Sequence, residues 1–294
     1  MNALATLLDG LVDYAGLFPP AALPMEAAVR NYASYRASAR RGMLARFVLP
    51  AARLDEFLRE ASVLPSSTDD GPWRLSVLAG PADATAVAAF NRAHGLRWCI
   101  DTIEAKATTA GEIAALALAF SGYTVYVEIP VADDPTELVQ AIGRHHLRAK
   151  IRTGGLTPEA FPAPGEVLRF LSECVQRQVP FKATAGLHHP LRGEYPLTYA
   201  PDAAQGTMYG FLNIFLAATL LHAGHEPSGL AALLEERDPA AIEADAQGIA
   251  WRGRHVSAAQ VAQARARFAE SFGSCSFEEP LQDLAALRLL PADR

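Results

Sequence analysis

A closed (β/α)8 TIM barrel is the fold this sequence predicts, and three observations carry that reading. Short apolar runs alternate with helix-like segments along most of the chain, which implies parallel strands joined by crossover helices. Eight strand signals fall within 294 residues, a length suited to a single barrel domain. No Gly-x-Gly-x-x-Gly follows an early strand, so an open, doubly wound sheet lacks its usual phosphate turn.

The elements follow in order. Val12–Phe18 reads as the first strand, closed by Pro19-Pro20, and residues 24–35 have helical spacing. Ala45–Leu49 is the second strand, followed by a helix over about 54–61. After the polar loop Ser66–Gly71 come the strand Arg74–Ala79, the helix 84–93 and the strand Arg97–Ile103. The helix Thr109–Phe120 precedes the strand Tyr123–Ile129, and residues 135–142 are helical again. The sixth and seventh strands, around Lys150 and Lys182, flank a helix over 165–177. The eighth is Phe272–Phe277, before a last helix Leu281–Leu289.

One region breaks the rhythm. Residues 190–271 form a mainly helical insertion between strands seven and eight, inside a single domain spanning 1–294. It holds a Pro- and Gly-punctuated loop, an apolar helix over 210–223, a helical stretch over 230–246 and a hairpin-like segment over 248–256. Ser257 is placed to cap the helix that follows. The segment Leu191–Gly210, with Tyr195, Tyr199 and Tyr209, reads as a lid over the barrel mouth that contacts His188 and His189.

Composition bounds the function. A formal charge of -6 and a pI near 5.8 argue against nucleic-acid binding, which needs a basic surface. Cys99, Cys174 and Cys275 are 3 in number and lack paired or metal-type spacing, which fits a reduced, cytoplasmic setting. No basic-then-apolar leader opens the chain, and the most apolar run, Phe211–Ala223, is too short to span a bilayer. That run suits a core or the interface of a homo-oligomer equally.

Lys150 and Lys182 each sit mid-strand, although lysine is rarely buried without a partner or a task. Alternation places Lys150 and Arg152 on one face, and Lys182, Thr184 and Gly186 on one face of the next strand. Two amines aimed at one interior suggest amine catalysis. A low dielectric and a neighbouring cation are expected to depress the amine pKa from about 10.4, freeing Lys150 to attack a carbonyl and form a Schiff base. Such chemistry requires no cofactor.

The motifs also resemble a family. Lys150-Ile151-Arg152-Thr153-Gly154 on strand six is similar to the Lys-x-x-Thr-Gly signature of the class I (Schiff-base) aldolases, most closely deoxyribose-phosphate aldolase. Phe181–Gly186 resembles that family's second-lysine strand. Cys99-Ile100-Asp101-Thr102-Ile103 resembles its aspartate strand, and Gly273–Ser276 its phosphate-holding end. The resemblance implies a lyase with Lys150 as nucleophile, Lys182 lowering its pKa, and Asp101 relaying protons. Arg152, Gly155 and His188-His189-Pro190 lie outside that signature. Glu278-Glu279 after the last strand would repel a phosphate, so a different anionic carbonyl metabolite is the expected substrate.

Further candidates complete the site. Glu128 shares the interior with Tyr126, as an acid/base group or as the counter-charge to Arg152; Glu104 has the opposite parity to Asp101 and is expected outside. Arg152, Thr153, Gly154, Gly155, Thr184, Gly186, His188, His189, Ser274, Ser276 and Asp13 are candidate substrate contacts, though Asp13 and the serines also suit turns. Two other functions fit the same parts. One is a metal-dependent lyase or hydrolase with zinc or iron on His188, His189 and Glu128. The other is a non-catalytic barrel that binds an anionic metabolite.

Overall fold

A computed structural model of the protein describes residues 2–64 and 71–290. The part of the polar loop at 66–70 lies outside the described residues. Eight parallel strands close into a barrel: β1 (Val12–Tyr14), β2 (Leu44–Pro50), β3 (Trp73–Leu78), β4 (Trp98–Lys106), β5 (Thr124–Glu128), β6 (Arg148–Arg152), β7 (Phe181–Thr184) and β8 (Ala269–Ser274). Each strand pairs with its neighbours in sequence, and β1 pairs with β8 to close the ring. A (β/α)8 barrel is therefore the architecture, as the alternation of elements predicts.

Local chemistry explains the helices. Thr109 and Glu112 form a reciprocal capping box at the start of the helix Ala110–Ala119, and Ser257 does the same with Gln260 for Ala258–Arg267. The helix Leu54–Ser62 turns Leu54, Phe57 and Ala61 inward. Every residue of Phe211–Leu221 is buried, so this helix is core. Its Asn213 is satisfied there: the side chain accepts from Arg192 N and donates to Leu233 O and Glu236 O.

Three elements differ from the sequence expectation. The stretch 230–246 is helical only over Leu230–Leu234 and then forms the strand Ile242–Ala244. Glu236 accepts hydrogen bonds from Arg237 N and Asp238 N, and Pro239 follows, so the backbone leaves the helix. The insertion thus also carries a three-stranded sheet, completed by Gly248–Trp251 and Arg254–Ser257. The last strand starts at Ala269 and stops at Ser274, because Ser276 already caps the final helix, Glu278–Ala286. β1 is only three residues long.

Register decides which side chains meet inside. Glu128 lies opposite Lys150, Lys150 opposite Lys182, and Lys182 opposite Ser271, so four neighbouring strands contribute one level of polar side chains. β4 contains a bulge: Leu75 faces Ile100, yet Ser76 faces Thr102. The extra residue, Asp101, shifts the alternation for the rest of the strand. Glu104 consequently points into the barrel and is 3 % exposed, which overturns its expected outward placement.

Candidate active site

An alternating chain of charges crosses the C-terminal half of the barrel. Lys182 Nζ lies 2.6 Å from Asp13 Oδ2 and 2.6 Å from Glu104 Oε1. Lys150 Nζ lies 2.8 Å from Glu104 Oε2 and 2.8 Å from Glu128 Oε2. Arg152 Nε stands 3.0 Å from Glu128 Oε1. Hydroxyls and backbone complete the shell: Ser271 donates to Asp13, Ser76 to Glu104, and Arg46 N to Asp13. Asp13 is a fully buried counter-ion, not a turn or cap residue.

These pairings set the protonation states. Burial pushes the Lys150 amine down, but Glu104 and Glu128 outweigh it and hold the amine above its ordinary range. Burial pushes Glu104 up, yet Lys150 and Lys182 hold its carboxyl well below the usual range. Glu128 is likewise lowered against burial, by Lys150 and Arg152. The expected depression of Lys150 by a second cation does not occur, because Asp13 and Glu104 neutralise Lys182 first. At rest, Lys150 is an ammonium between two carboxylates. Glu128 Oε2 lies 2.8 Å from that ammonium, close enough for proton exchange though poorly aligned for a hydrogen bond.

A cavity of about 320 Å³ opens above this chain. Lys150, Glu104, Arg152, Thr184 and His188 give it polar groups, and Phe18, Val48, Leu78, Leu156, Leu197 and Met208 give it apolar walls. It has the size and the mixed lining of a small-molecule site. Arg152 is half-exposed, and its Nη groups have no partner among the described residues. A second, open cavity lies on the other side of Arg152 and Glu128, against Lys106 and Phe161.

The remaining predicted residues divide sharply. Gly155, Thr184, Gly186 and His188 line the cavity. Thr153 does not: its Oγ1 donates to Ala185 O at 2.8 Å, tying the ends of β6 and β7 together. Gly154 and Gly186 let those ends touch, since a Cβ on either would meet the other's Cα at 3.0 Å. Asp101 lies toward the N-terminal end of β4, held by Arg46 and Arg74 at 2.6 and 2.5 Å. It is not brought to Lys150, and Glu104 holds the place that the resemblance gives to Asp101.

Ser274 Oγ accepts from Ser276 N, and Ser276 Oγ accepts from Glu279 N, so both serines serve the turn and the helix cap. His189 turns to Asp283, at 2.6 Å, and stacks on Tyr195. His188 turns to Glu279 and Cys275. Neither histidine therefore joins Glu128 in a ligand set, and no group of three or more His, Cys, Asp or Glu converges as a metal site among the described residues. No described helix is long and apolar enough to cross a membrane.

The segment 191–210 folds as a hairpin, Gly193–Pro196 with Gln205–Met208. Its Leu197 and Met208 form part of the cavity wall, and Tyr199 reaches Glu279 and Cys275. Tyr209 is buried beneath it, donating to Pro162 O. Sequence reasoning missed Glu104, Cys275 and Glu279 as members of the site. Glu104 turns inward only through the register shift between Ile100 and Thr102; Cys275 and Glu279 depend on the tertiary turn after β8. No family model, curated protein or solved structure matches this chain.

Proposed function

We propose that the protein is an amine-dependent lyase that makes or breaks a C–C bond of a small anionic carbonyl compound, with Lys150 as nucleophile. The observation that carries this reading is the Lys150 ammonium lining an open-mouthed cavity, 2.8 Å from each of two carboxylates. The cavity also lies at the C-terminal end of the strands, where barrels of this class place their chemistry.

Lys150 must lose a proton before it can attack. Glu104 is a poor acceptor, because two ammonium groups and Ser76 stabilise its charge. Glu128 is the better one, because its other partners are less buried: Lys106, 3.7 Å away, is exposed, and Arg152 is half-exposed and borders the cavity. An anionic substrate that engages Arg152 weakens that guanidinium's hold on Glu128 and raises the carboxylate's proton affinity. Lys150 then passes its proton to Glu128 and adds to the carbonyl. The resulting iminium withdraws electrons from the neighbouring bond, and Glu128 returns or removes protons. Lys182 acts in this scheme by keeping Glu104 ionised. A Schiff-base dehydratase or isomerase would use the same groups, and the substrate distinguishes them.

Borohydride trapping with small oxo acids and aldehydes, followed by peptide mass analysis, tests the reading. A reduced adduct on Lys150 is expected; a carbonyl panel that leaves Lys150 unlabelled overturns it. The full pairing of both lysines favours one other reading, an anion-binding barrel without turnover. Saturable binding of carboxylates with no adduct would select it.

A further inference from the structure

We propose that His188 is the proton donor of the Lys150 cavity, delivering the Nε2 proton to the hydroxyl that departs when the carbinolamine on Lys150 dehydrates. This inference rests on the amine reading above and adds the acid that such a reaction needs. Hydroxide is a poor leaving group, so carbinolamine dehydration requires an acid within reach. In the step, the Lys150 nitrogen lone pair forms the C=N bond and the C–O bond breaks. The hydroxyl takes the His188 proton and leaves as water, and the imidazole is left neutral. Hydrolysis of the iminium reverses each of these changes and restores the proton.

The other groups of the cavity cannot supply that proton. Glu104 is held ionised by the two ammonium groups beside it, and Glu128, which takes the Lys150 proton at the start of the sequence, lines the second cavity and not this one. Lys182 is enclosed between Asp13 and Glu104, and an arginine such as Arg152 does not titrate in proteins. A hydroxyl such as that of Thr184 is too weak an acid. Cys275 also borders the cavity, with its Sγ turned to His188 Nδ1 at 3.9 Å and to Tyr199 OH at 3.7 Å.

His188 has the geometry of an oriented acid. Its Nδ1 faces Glu279 Oε2 at 3.3 Å, as well as Cys275. Both partners occupy the same nitrogen, which leaves Nε2 without a partner among the described residues. The side chain is 9 % exposed and lines the Lys150 cavity, and the unpaired Nε2 is not sealed from solvent, so a ligand in the cavity can reach it. A carboxylate on one nitrogen and the reacting atom on the other is the arrangement that orients catalytic imidazoles. The backbone supports it as well. Ala185 at φ 64° and Gly186 at φ 71° are consecutive left-handed residues that turn the chain after β7, and an alanine held there is a cost borne at the site.

Protonation agrees with this role. Burial pushes the imidazolium down, but the contacts with Cys275 and Glu279 outweigh it, and the pKa is pushed up to about 9. The elements packed on the ring bring Cys275 from the turn after β8 and Glu279 from the final helix, and Tyr199 of the hairpin donates to that same Glu279. The His189 ring lies 6.4 Å away. Across the cavity stand Arg152, Lys150 and Glu104.

Rapid-quench borohydride trapping with 2-oxobutyrate and with butanal tests the proposal, beside exchange of the carbonyl oxygen with ¹⁸O-water. In the wild type, the rate of adduct formation rises with pH and then levels near pH 9, as the gain in neutral amine is offset by loss of the imidazolium. His188→Gln is expected to slow trapping and exchange at least about a hundredfold and to remove the levelling, while butyrate binding stays intact. His188→Ala, with added imidazole, should recover part of the rate, which a merely structural role would not produce. An adduct formed by His188→Gln at the wild-type rate, with the break at pH 9 unchanged, overturns the role of His188 alone. No adduct in the wild type with either probe overturns the amine reading and this inference together.

Discussion

At the N-terminal end of the barrel interior, Asp101 is clamped between Arg46 and Arg74, and Glu270 joins Tyr126 and Arg148. At the other end, Asp13, Lys182, Glu104, Lys150, Glu128 and Arg152 form the alternating chain beneath the cavity. The ions of the first end are partly exposed and most of those at the other are buried, yet both ends shift ionisation. Asp101 is lowered against its burial by Arg46 and Arg74, and Glu128 is lowered against its burial by Lys150 and Arg152. Perturbed ionisation therefore does not by itself mark the site, since structural ion pairs perturb it too. What differs is access: Lys150, Glu104 and Arg152 border the cavity, and Asp101, Arg46, Tyr126 and Glu270 do not.

Glu104→Gln should produce the largest effect. It leaves each of two buried ammonium groups with one of its two carboxylate partners, and breaking a buried pair costs about 3 to 5 kcal/mol. Urea unfolding should show a loss of that size. A loss below about 1 kcal/mol, the range of an exposed ion pair, would mean that water already reaches the pair, and the contrast between the two ends would collapse.

Asp101→Asn probes the other end and should cost about 1 to 2 kcal/mol, the range for removing a charge from partnered hydrogen bonds, while adduct formation changes less than about twofold. The pH dependence has a definite sign. The Asp101 carboxyl is depressed in the folded protein, so its contribution is present above the unfolded value of about 3.9 and is lost as pH falls through the folded value. The stability gap between wild type and variant should therefore be full near neutrality and close in acid. Loss of the Lys150 adduct in this variant would instead restore Asp101 to the proton relay that the aldolase resemblance implies.

The mistake over Asp101 and Glu104 shows how far the sequence could be read. Strand alternation correctly paired Lys150 with Arg152 and set Glu128 in the same interior, because β5 and β6 run without irregularity. One bulge in β4 was enough to exchange the roles of two carboxylates, and nothing in local propensity announces it. The barrel itself was legible, since eight strand signals with helices between them admit few parallel arrangements. The His188 cluster was not, because Cys275 is 87 residues away in sequence and meets the ring only after β8 turns. The segment 191–210, expected as a lid, is also packed against the barrel, since its Leu197, Met208 and Tyr209 are buried.

The smallest effect is expected where that hairpin meets the His188 cluster. Tyr199 is half-exposed, donates to Glu279 Oε2 at 2.9 Å and lies 3.7 Å from Cys275 Sγ, so Tyr199→Phe removes a partly solvated hydrogen bond and a weak sulfur contact, together worth about 0.5 to 1 kcal/mol. Its ring stays in place, because Leu197 and Met208 on either side of it anchor the hairpin. The imidazole of His188 keeps its own contacts with Glu279 and Cys275, and its titration followed by NMR should stay near 9. The sign of the linked stability follows from that raised value. The contribution of His188 is complete below the unfolded value of about 6.5 and is lost as pH rises through about 9. Wild type and Tyr199→Phe should therefore lose stability in parallel between those limits, offset by a small constant. A variant that unfolds several kcal/mol earlier, or whose His188 titrates near 6.5, would show that the hairpin is held by this one contact. The barrel mouth would then be closed by a latch at Tyr199, and the apolar anchors Leu197 and Met208 would be secondary.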